Sequence, residues 1–335
     1  MEQRPTMKDV ARAAGVSLKT VSRVVNGEEN VSPATTARVS EAIARLGFER
    51  NDLARSLRRG DSSSTLGLVI EDLANPFYAA VAQAVEAAAR VRGYLLLTAS
   101  GLEDAGRERE VVTAMLRRRV DALLVVPAGD DHRYLSGAGG QVPVVFLDRP
   151  PGAFEADTVL HDNRGGARTA VEHLLDHGHT RIACVADSAE LYTAGERVAG
   201  YRDALEAAGV PVDPALIRTG NRDAAQGEAA VEDVLALEEG VRPTAVFTAN
   251  NRNTVGALRA LAGSDGVALI GFDDFELADL LGVTIVRSQP AMMGAAATAL
   301  AFGRLDGDDR PPQHIKVPSR LVSRGTGEIR ARSRP

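Results

Sequence analysis

The chain has 335 residues, of which 44% are hydrophobic and 25% charged, and this size and composition fit two or three soluble folded units. No apolar run approaches the roughly 18 residues of a membrane-spanning helix, so a spanning membrane protein is excluded. The one cysteine, Cys184, can form neither an internal disulfide nor a metal cluster. The N-terminal segment lacks the apolar stretch of a secretory signal, so we expect a cytoplasmic protein with no membrane attachment.

Charge is unevenly distributed along the chain. Residues 1–60 hold 11 Lys and Arg against 7 Asp and Glu, a net charge of +4, whereas the rest of the chain holds 28 against 38, a net charge of −10. A basic segment favours a polyanion because binding releases counterions, and an acidic segment is repelled by one. The first 60 residues are therefore the candidate nucleic-acid reader.

The chain begins with a helix-turn-helix pattern. Thr6 and Asp9 have the spacing of a capping box and predict a helix over 7–14, with Val10, Ala13 and Ala14 as its apolar positions. Gly15 ends this helix because glycine permits a positive φ. Two helices joined by a three-residue turn have the geometry in which the second helix enters the major groove of DNA.

The second helix is predicted over 18–25, capped by Ser17, with Val21, Val24 and Val25 facing inward. The side chains that point outward are Leu18, Lys19, Thr20, Ser22 and Arg23. A third helix begins at Ser32-Pro33 and ends at Gly47, and it closes a small three-helix core.

Three segments of this region carry a resemblance: KDVARAAGVS (8–17), TVSRVVN (20–26) and VSP (31–33). They closely resemble the DNA-binding domain of the lactose-repressor (LacI) family of bacterial transcription regulators. A generic helical hairpin would share the apolar stripe but not these sequence motifs. The resemblance implies a DNA-binding domain at 1–49 that contacts a double-stranded operator. The DNA-contacting residues expected here and in the following hinge are Thr6, Ser17, Leu18, Lys19, Thr20, Ser22, Arg23, Asn26, Ser32, Asn51, Arg55 and Leu57.

Residues 50–62 are predicted to be a hinge helix and linker. Leu53 and Leu57 are four residues apart and share one helix face, with Asn51 as a cap. So short a helix frays without a partner, so it can act as a switch. The resemblance implies that two such helices of a dimer enter the minor groove, where Leu57 is the wedge between base steps. An ordinary linker is the alternative, although a mere spacer would not need the two leucines.

From residue 65 onward, short apolar strands alternate with amphipathic helices, which predicts doubly wound parallel sheets. The first series has strands near 66–70, 95–97, 122–126 and 142–147 and helices near 76–92 and 107–118. The second has strands near 181–185, 215–217, 245–248 and 267–270 and helices near 194–208, 225–237 and 252–262. Two similar halves predict a two-lobed α/β core with a cleft. We expect the N-terminal lobe at 63–162 and 291–320 and the C-terminal lobe at 163–290 and 321–335.

Ligands of such sheets bind beyond the carboxyl ends of the strands, where this chain has recurring Asp and Asn residues. A single one of these residues is as well explained as a helix cap, but their recurrence after five strands favours a pocket for a small polyhydroxylated ligand. The segments NPFY (75–78), ERVAGY (196–201) and GFDDF (271–275) resemble the effector-binding core of the same family, itself similar to periplasmic sugar-binding proteins. The effector-binding residues expected are Phe77, Tyr78, Asp148, Thr193, Arg197, Arg222, Asn250 and Asp273.

Two departures from the family pattern bear on the effector. The family commonly has Asn-Asp where this chain has Asn250-Asn251, and often an aromatic residue near the position of Arg222. A lost carboxylate and a gained guanidinium predict a less acidic site, which admits a sugar acid or a sugar phosphate beside a neutral sugar.

Other functions fit the sequence less well. No G-x-G-x-x-G follows the first strand and no Gly-Lys dipeptide exists, so neither a dinucleotide site nor a P-loop is expected. His173 and His177 have a spacing that can bind zinc, with His179 nearby, but no full ligand set accompanies them. A solute-binding protein shares the body but not the basic N-terminal segment. We expect a repressor rather than an enzyme, without cofactor or metal, that binds DNA as a homodimer, with a tetramer left open.

Overall fold

The computed structural model describes residues 5–25, 27–28, 30–48, 63–138, 142–264 and 266–331. The chain separates after Ser63 into an N-terminal unit and a larger unit. The predicted hinge at 50–62, with Asn51, Arg55 and Leu57, lies outside the described residues, and so does Asn26. None of the helices in the described part is long and apolar enough to cross a membrane.

The N-terminal unit contains the three predicted helices, α1 (Met7–Ala14), α2 (Leu18–Val25) and α3 (Pro33–Leu46). The backbone N–H and the hydroxyl of Thr6 both donate to the Asp9 carboxylate, which fixes the start of α1. Gly15 ends α1 with a φ of 64°, and the Ser32 hydroxyl caps α3 by accepting from the Thr35 N–H. These local signals explain why the helix limits follow so closely from the sequence.

A small core joins the three helices. It consists of Val10, Ala11, Ala14, Val21, Val39 and Ala42, with Val24 and Val25 packed against it. Ala13 is exposed, so the sequence prediction that it is a core position is wrong. The register of the helix turns Ala11 inward instead, because a residue three before Ala14 shares its face.

The larger unit contains two six-stranded sheets with corresponding strand orders. The first sheet has the order β11-β5-β4-β3-β1-β2 and the second has the order β12-β10-β9-β8-β6-β7. All described strand pairs are parallel except β10 with β12. The strands of the first sheet are β1 (Thr65–Ile70), β2 (Leu95–Ser100), β3 (Ala122–Val125), β4 (Val144–Leu147), β5 (Asp157–His161) and β11 (His314–Val317). Those of the second are β6 (Ile182–Val185), β7 (Ile217–Arg218), β8 (Ala245–Thr248), β9 (Ala268–Phe272), β10 (Thr284–Arg287) and β12 (Arg320–Val322).

Helices cover both sheets. They are α4 (Pro76–Val91), α5 (Ala105–Arg117), α6 (Tyr134–Ala138), α7 (Asn163–Asp176), α8 (Tyr192–Ala207), α9 (Ala224–Leu235), α10 (Asn251–Ala260) and α11 (Pro290–Leu305). The chain returns α11 and β11 to the first lobe, where α11 packs on α4 through Met293 and Ala297. Helix α7 packs with the second sheet. Each lobe thus combines an early and a late part of the chain, and the exact boundaries stay predictions.

The strand predicted at 215–217 is only partly present. Residues Pro214–Leu216 form a 3₁₀ turn, and the strand that follows, β7, has two residues. Asp213 caps the turn by accepting from the Ala215 N–H, and a proline at the first position favours a helical start. The apolar run was therefore a turn and an edge strand rather than one buried strand.

Candidate functional site

A polar cavity lies between the two lobes at the carboxyl ends of their strands. Its lining comes from both sheets: Glu71, Asn75, Phe77, Tyr78, Glu103, Asp148, Arg149, Asp187, Leu191, Thr193, Ala194, Arg197, Ala249, Asn250, Asn251, Arg252 and Asp273. Seven of the eight effector-binding residues expected from the sequence are among them. This is the position where open α/β sheets bind their ligands.

One aspartate from each lobe occupies an equivalent position in this lining. Asp148 follows β4 and Asp273 follows β9, and both have a left-handed backbone, with φ of 66° and 67°. Their N–H groups donate to the neighbouring strand, to the carbonyls of Val159 and Val286, each at 2.9 Å. This backbone costs about 1–3 kcal/mol for a residue with a side chain, and such positions cluster at ligand sites. The strain places one buried carboxylate of each lobe in the cavity lining.

Arg197 is held rigidly beside Asp273. Its Nη1 atom donates to Asp273 Oδ2 at 3.0 Å and to the carbonyl of Ala249 at 2.7 Å, and its Nε atom donates to Asn163 Oδ1 at 2.8 Å. The guanidinium also lies 3.8 Å from the centre of the Phe272 ring. A donor so fully oriented recognises a ligand oxygen at little entropic cost.

Helix α8 carries Arg197, and a glycine sets how deeply that helix lies against its neighbour. A Cβ atom on Gly200 would stand 2.2 Å from the carbonyl oxygen of Arg164 in α7, far closer than atoms approach. Only glycine permits this contact between α7 and α8. The glycine of the ERVAGY segment therefore positions the arginine of the same segment.

Asp148 is only half satisfied in its buried position. Its Oδ2 atom accepts from the Tyr78 hydroxyl at 2.9 Å, but its Oδ1 atom is buried without a hydrogen-bond partner. Burial and the nearby Asp148 charge raise the pKa of Tyr78 well above its ordinary value, so the hydroxyl stays a donor. Phe77 packs edge-on against Tyr78 with ring centres 4.9 Å apart. An unpaired buried oxygen costs free energy that a ligand donor can recover.

Several lining residues were not predicted, although each follows a strand end as the predicted ones do. They are Glu71 after β1, Glu103 after β2, Asp187 after β6 and Arg252 after β8. Arg149 makes a two-pronged ion pair with Glu103, one bond of which measures 2.7 Å. Applying the strand-end rule to charged residues of every strand would have found them all.

Three polar contacts join the lobes directly across the cavity. Arg252 of the second lobe donates to Glu71 Oε1 at 3.2 Å and to Asp72 Oδ2 at 2.6 Å. Asn251 donates to Asn75 Oδ1 at 3.0 Å. These contacts hold the lobes together in this conformation.

The lining carries five carboxylates and three guanidiniums, a formal net charge of −2. Burial and the neighbouring Glu103 raise the pKa of Glu71 to about 7. The same two causes raise the pKa of Asp187. Arg222 is exposed and outside the lining, and its backbone N–H donates to Gln226 Oε1. The cavity is thus more acidic than the sequence suggested, because the nearby carboxylates were not counted and Arg222 does not line it.

Some predicted residues have the roles of helix caps or structural contacts. Asn250 both lines the cavity and caps α10, accepting from the Asn253 N–H at 2.7 Å. His173 contacts Glu328 at 2.8 Å, and His179 contacts Thr244 and the carbonyl of Ile329. Within the described ranges, no group of three or more His, Cys, Asp or Glu residues could hold a metal ion. His173 and His179 tie α7 and the segment before β6 to residues 328 and 329.

The exposed face of the N-terminal unit carries the predicted DNA-reading side chains. Leu18 and Lys19 are exposed at the start of α2, and Ser22 and Arg23 are partly exposed one turn later. Thr20 and Ser17 are joined through their hydroxyls at 2.8 Å, and Ser17 also accepts from the Thr20 N–H. Polar and basic side chains at the N-terminus of a second helix have the arrangement that reads base edges in a major groove. Their DNA contacts stay predictions.

Comparisons with known proteins agree with both units. Residues 6–51 match the model of the bacterial regulatory proteins of the lacI family, and residues 171–326 match a periplasmic binding protein-like domain. The ribose operon repressor of Escherichia coli (strain K12) is 33% identical over 96% of this chain and 99% of its own. A structure of a CelR–cellobiose complex is 31% identical and covers 96% of this chain and 100% of its own, with a TM-score of 0.70.

A third match is to the crystal structure of the Lac repressor dimer bound to operator and an anti-inducer. It is 27% identical, covers 97% of this chain and 99% of its own, and has a TM-score of 0.83. Together these matches confirm the predicted fold class, a helix-turn-helix domain followed by a two-lobed periplasmic-binding-protein-like core. They also make the chain a DNA-binding transcription regulator rather than an enzyme. The chain belongs to the LacI family of bacterial transcription regulators.

Proposed function

We propose that this repressor binds a pseudo-palindromic operator as a homodimer in the cytoplasm and responds to a small hydroxylated effector in the cavity between its lobes. The observation that carries the effector proposal is the pair of strained, buried aspartates, one from each lobe, beside the fully oriented Arg197. Fixed donors and acceptors around an aromatic pair suit the hydroxyl groups and ring face of a sugar. The relatives named for ribose and solved with cellobiose support the same ligand class.

Exposed apolar side chains support the homodimer. Leu95 and Leu97 are exposed on β2, the edge strand of the first sheet, and Leu277, Leu280 and Leu281 are exposed in one turn of the second lobe. An apolar edge strand is a liability for a monomer, and a second copy would bury it. A dimer carries two recognition helices related by a two-fold axis, so the operator should have the same symmetry. A tetramer remains compatible with these observations.

Two experiments test the two halves of this proposal. Selection of bound sequences from a random DNA library should return a symmetric motif, and an asymmetric motif or none would overturn the dimeric operator model. A thermal-shift screen with sugars should find compounds that stabilise the protein, because a ligand of the folded state raises its stability. Arg197→Ala should abolish that shift and leave DNA binding intact. Loss of both together would mean that Arg197 serves the fold alone.

A further inference from the structure

The cavity lining holds more negative charge than its own cations can neutralise. Its residues include Glu103, Asp148, Arg149 and Asp187, and we call these four residues the acidic corner. Arg149 is already engaged by the two oxygens of Glu103, and its Nε atom is 3.8 Å from Asp148 Oδ2. The formal charge of the acidic corner is therefore −2. Among the other lining residues, Asp273 is paired with Arg197, and Glu71 shares Arg252 with Asp72.

The two lobes both contribute to this imbalance. Glu103, Asp148 and Arg149 belong to the first lobe, whereas Asp187 follows β6 of the second. Glu103 and Asp187 line the same cavity from different lobes. Burial and the charge of Glu103 raise the pKa of Asp187 against the opposing effects of the Ser188 N–H, Arg222 and Arg149. Its carboxylate accepts from the N–H of the adjacent Ser188. Closing the lobes therefore brings like charges together, which costs free energy unless a cation lies between them.

Asp148 gives an independent sign of a missing donor. Its side chain is only 3% exposed, yet its Oδ1 atom has no hydrogen-bond partner. A buried charged acceptor without a partner costs free energy, and a donor on a ligand in the cavity would recover it. A neutral hydroxyl would satisfy the hydrogen bond but not the excess charge.

The start of helix α8 adds hydrogen-bond donors to the same cavity. Helix α8 begins at Tyr192 without a side-chain cap, and its first turn lines the cavity through Thr193 and Ala194. Backbone N–H groups at a helix start, together with Arg197, donate to ligand oxygens. The cavity thus combines donors from α8 and Arg197 with the uncompensated carboxylates of the acidic corner.

We propose that the effector is an amino sugar or a similar polyhydroxylated amine, whose ammonium group occupies the acidic corner and whose hydroxyls face α8 and Arg197. This inference rests on the proposed function and specifies its ligand class. It replaces the anionic effector suggested by Arg222, because an acidic group would add to the negative charge already present. Charge-assisted hydrogen bonds to carboxylates favour the ammonium over a hydroxyl.

Matched sugar series test this inference by calorimetry on the full chain. Each series contains a neutral hexose, its 2-amino analogue, the N-acetylated amine and the uronic acid, with glucose, galactose and mannose as the parents. In at least one series the amine should bind tightest, about tenfold to a hundredfold more tightly than the neutral parent. If in every series a neutral or acidic member binds at least as tightly as its amine, the inference is overturned.

Variants of the acidic corner sharpen the test. Asp148→Asn and Asp187→Asn should each weaken binding of the amine about tenfold more than binding of the neutral parent, because the amide still accepts a hydrogen bond from a hydroxyl but no longer neutralises an ammonium. Asp187 lies nearer the surface, so its variant keeps the test valid if Asp148→Asn fails to fold. Glu110→Gln removes the same charge from an exposed position on α5 and should change neither affinity. Equal losses for both ligands would assign the carboxylates to the fold rather than to the ammonium.

The DNA selection separates this inference from the proposed function. If no amine binds while a symmetric motif is still recovered, the amino-sugar inference is wrong and the dimeric operator model stands. If neither DNA nor any sugar is bound, the proposed function itself fails.

Discussion

The bridge made by Arg252 should control how readily the lobes separate. Its guanidinium is 31% exposed and contacts Glu71 and Asp72, which are 14% and 29% exposed. Ion pairs at such partly exposed positions are worth about 0.2–1 kcal/mol each, because solvent screens them. Arg252→Gln removes both and should therefore shift the balance towards separated lobes by about 0.4–2 kcal/mol, which is roughly a two- to thirtyfold change in the ratio.

Hydrogen exchange by mass spectrometry can measure this change. Peptides that cover residues 71–79 and 249–254 should exchange faster in Arg252→Gln, because the starts of α4 and α10 become open to water. Arg259→Gln is the matched control, since it removes the same charge from the same helix but its partner, Glu228, lies in the same lobe. Exchange that is unchanged in Arg252→Gln, or equally raised in both variants, would refute the bridge.

Three further predictions follow from buried charge and from the hinge. Burial and then Glu103 raise the pKa of Glu71 from 4.5 to about 7, so its ionised form destabilises the fold as the pH rises through this window. Glu71→Gln should raise the free energy of unfolding by about 2–4 kcal/mol near pH 8 and leave it unchanged near pH 4. Equal thermal midpoints of the variant and the unmodified chain near pH 8 would contradict this. Against the opposing effect of burial, the 3.0 Å contact between His132 and Glu108 raises the pKa of the histidine and lowers that of the glutamate. The ion pair therefore stabilises the fold most between the ordinary pKa values of the two groups, about pH 4.5 to 6.5. His132→Phe should lower the free energy of unfolding by about 3 kcal/mol near pH 6, and a pH profile of urea unfolding that is the same in the variant would exclude this role. Leu57→Ala should weaken operator binding by about tenfold without changing the sugar-induced thermal shift, and an equal loss of both would make Leu57 a core residue.

Local signals account for what the sequence predicted well. The starts of α1, α2 and α3 follow from Thr6, Ser17 and Ser32, whose capping contacts involve residues only a few positions away. The alternation of strands and helices likewise predicts the two sheets, since parallel strands are buried on both faces. The positions of Asp148 and Asp273 follow from one topological rule, that ligands meet the carboxyl ends of strands.

Long-range placement explains what the sequence could not predict. Arg222 follows a strand as the rule requires, but β7 is a two-residue edge strand, and the side chain remains outside the cavity. Arg252 looked like an ordinary residue of a helix start, and its role depends on Glu71, 181 positions away in the other lobe. The acidity of the site depends on the same distant pairings. Spacing along the chain contains no information about such contacts.

The central claim is that a ligand in the cavity changes the affinity for DNA. Fluorescence anisotropy with the selected operator, with and without a sugar that stabilises the protein, measures this coupling most directly. We predict at least about a fivefold change in operator affinity for the unmodified chain, in line with typical coupling free energies. We predict no change for Arg197→Ala, whose operator affinity without sugar should equal that of the unmodified chain. An operator affinity that does not change when the sugar is added would contradict this coupling. So would a sugar-dependent change in operator affinity that is retained in Arg197→Ala.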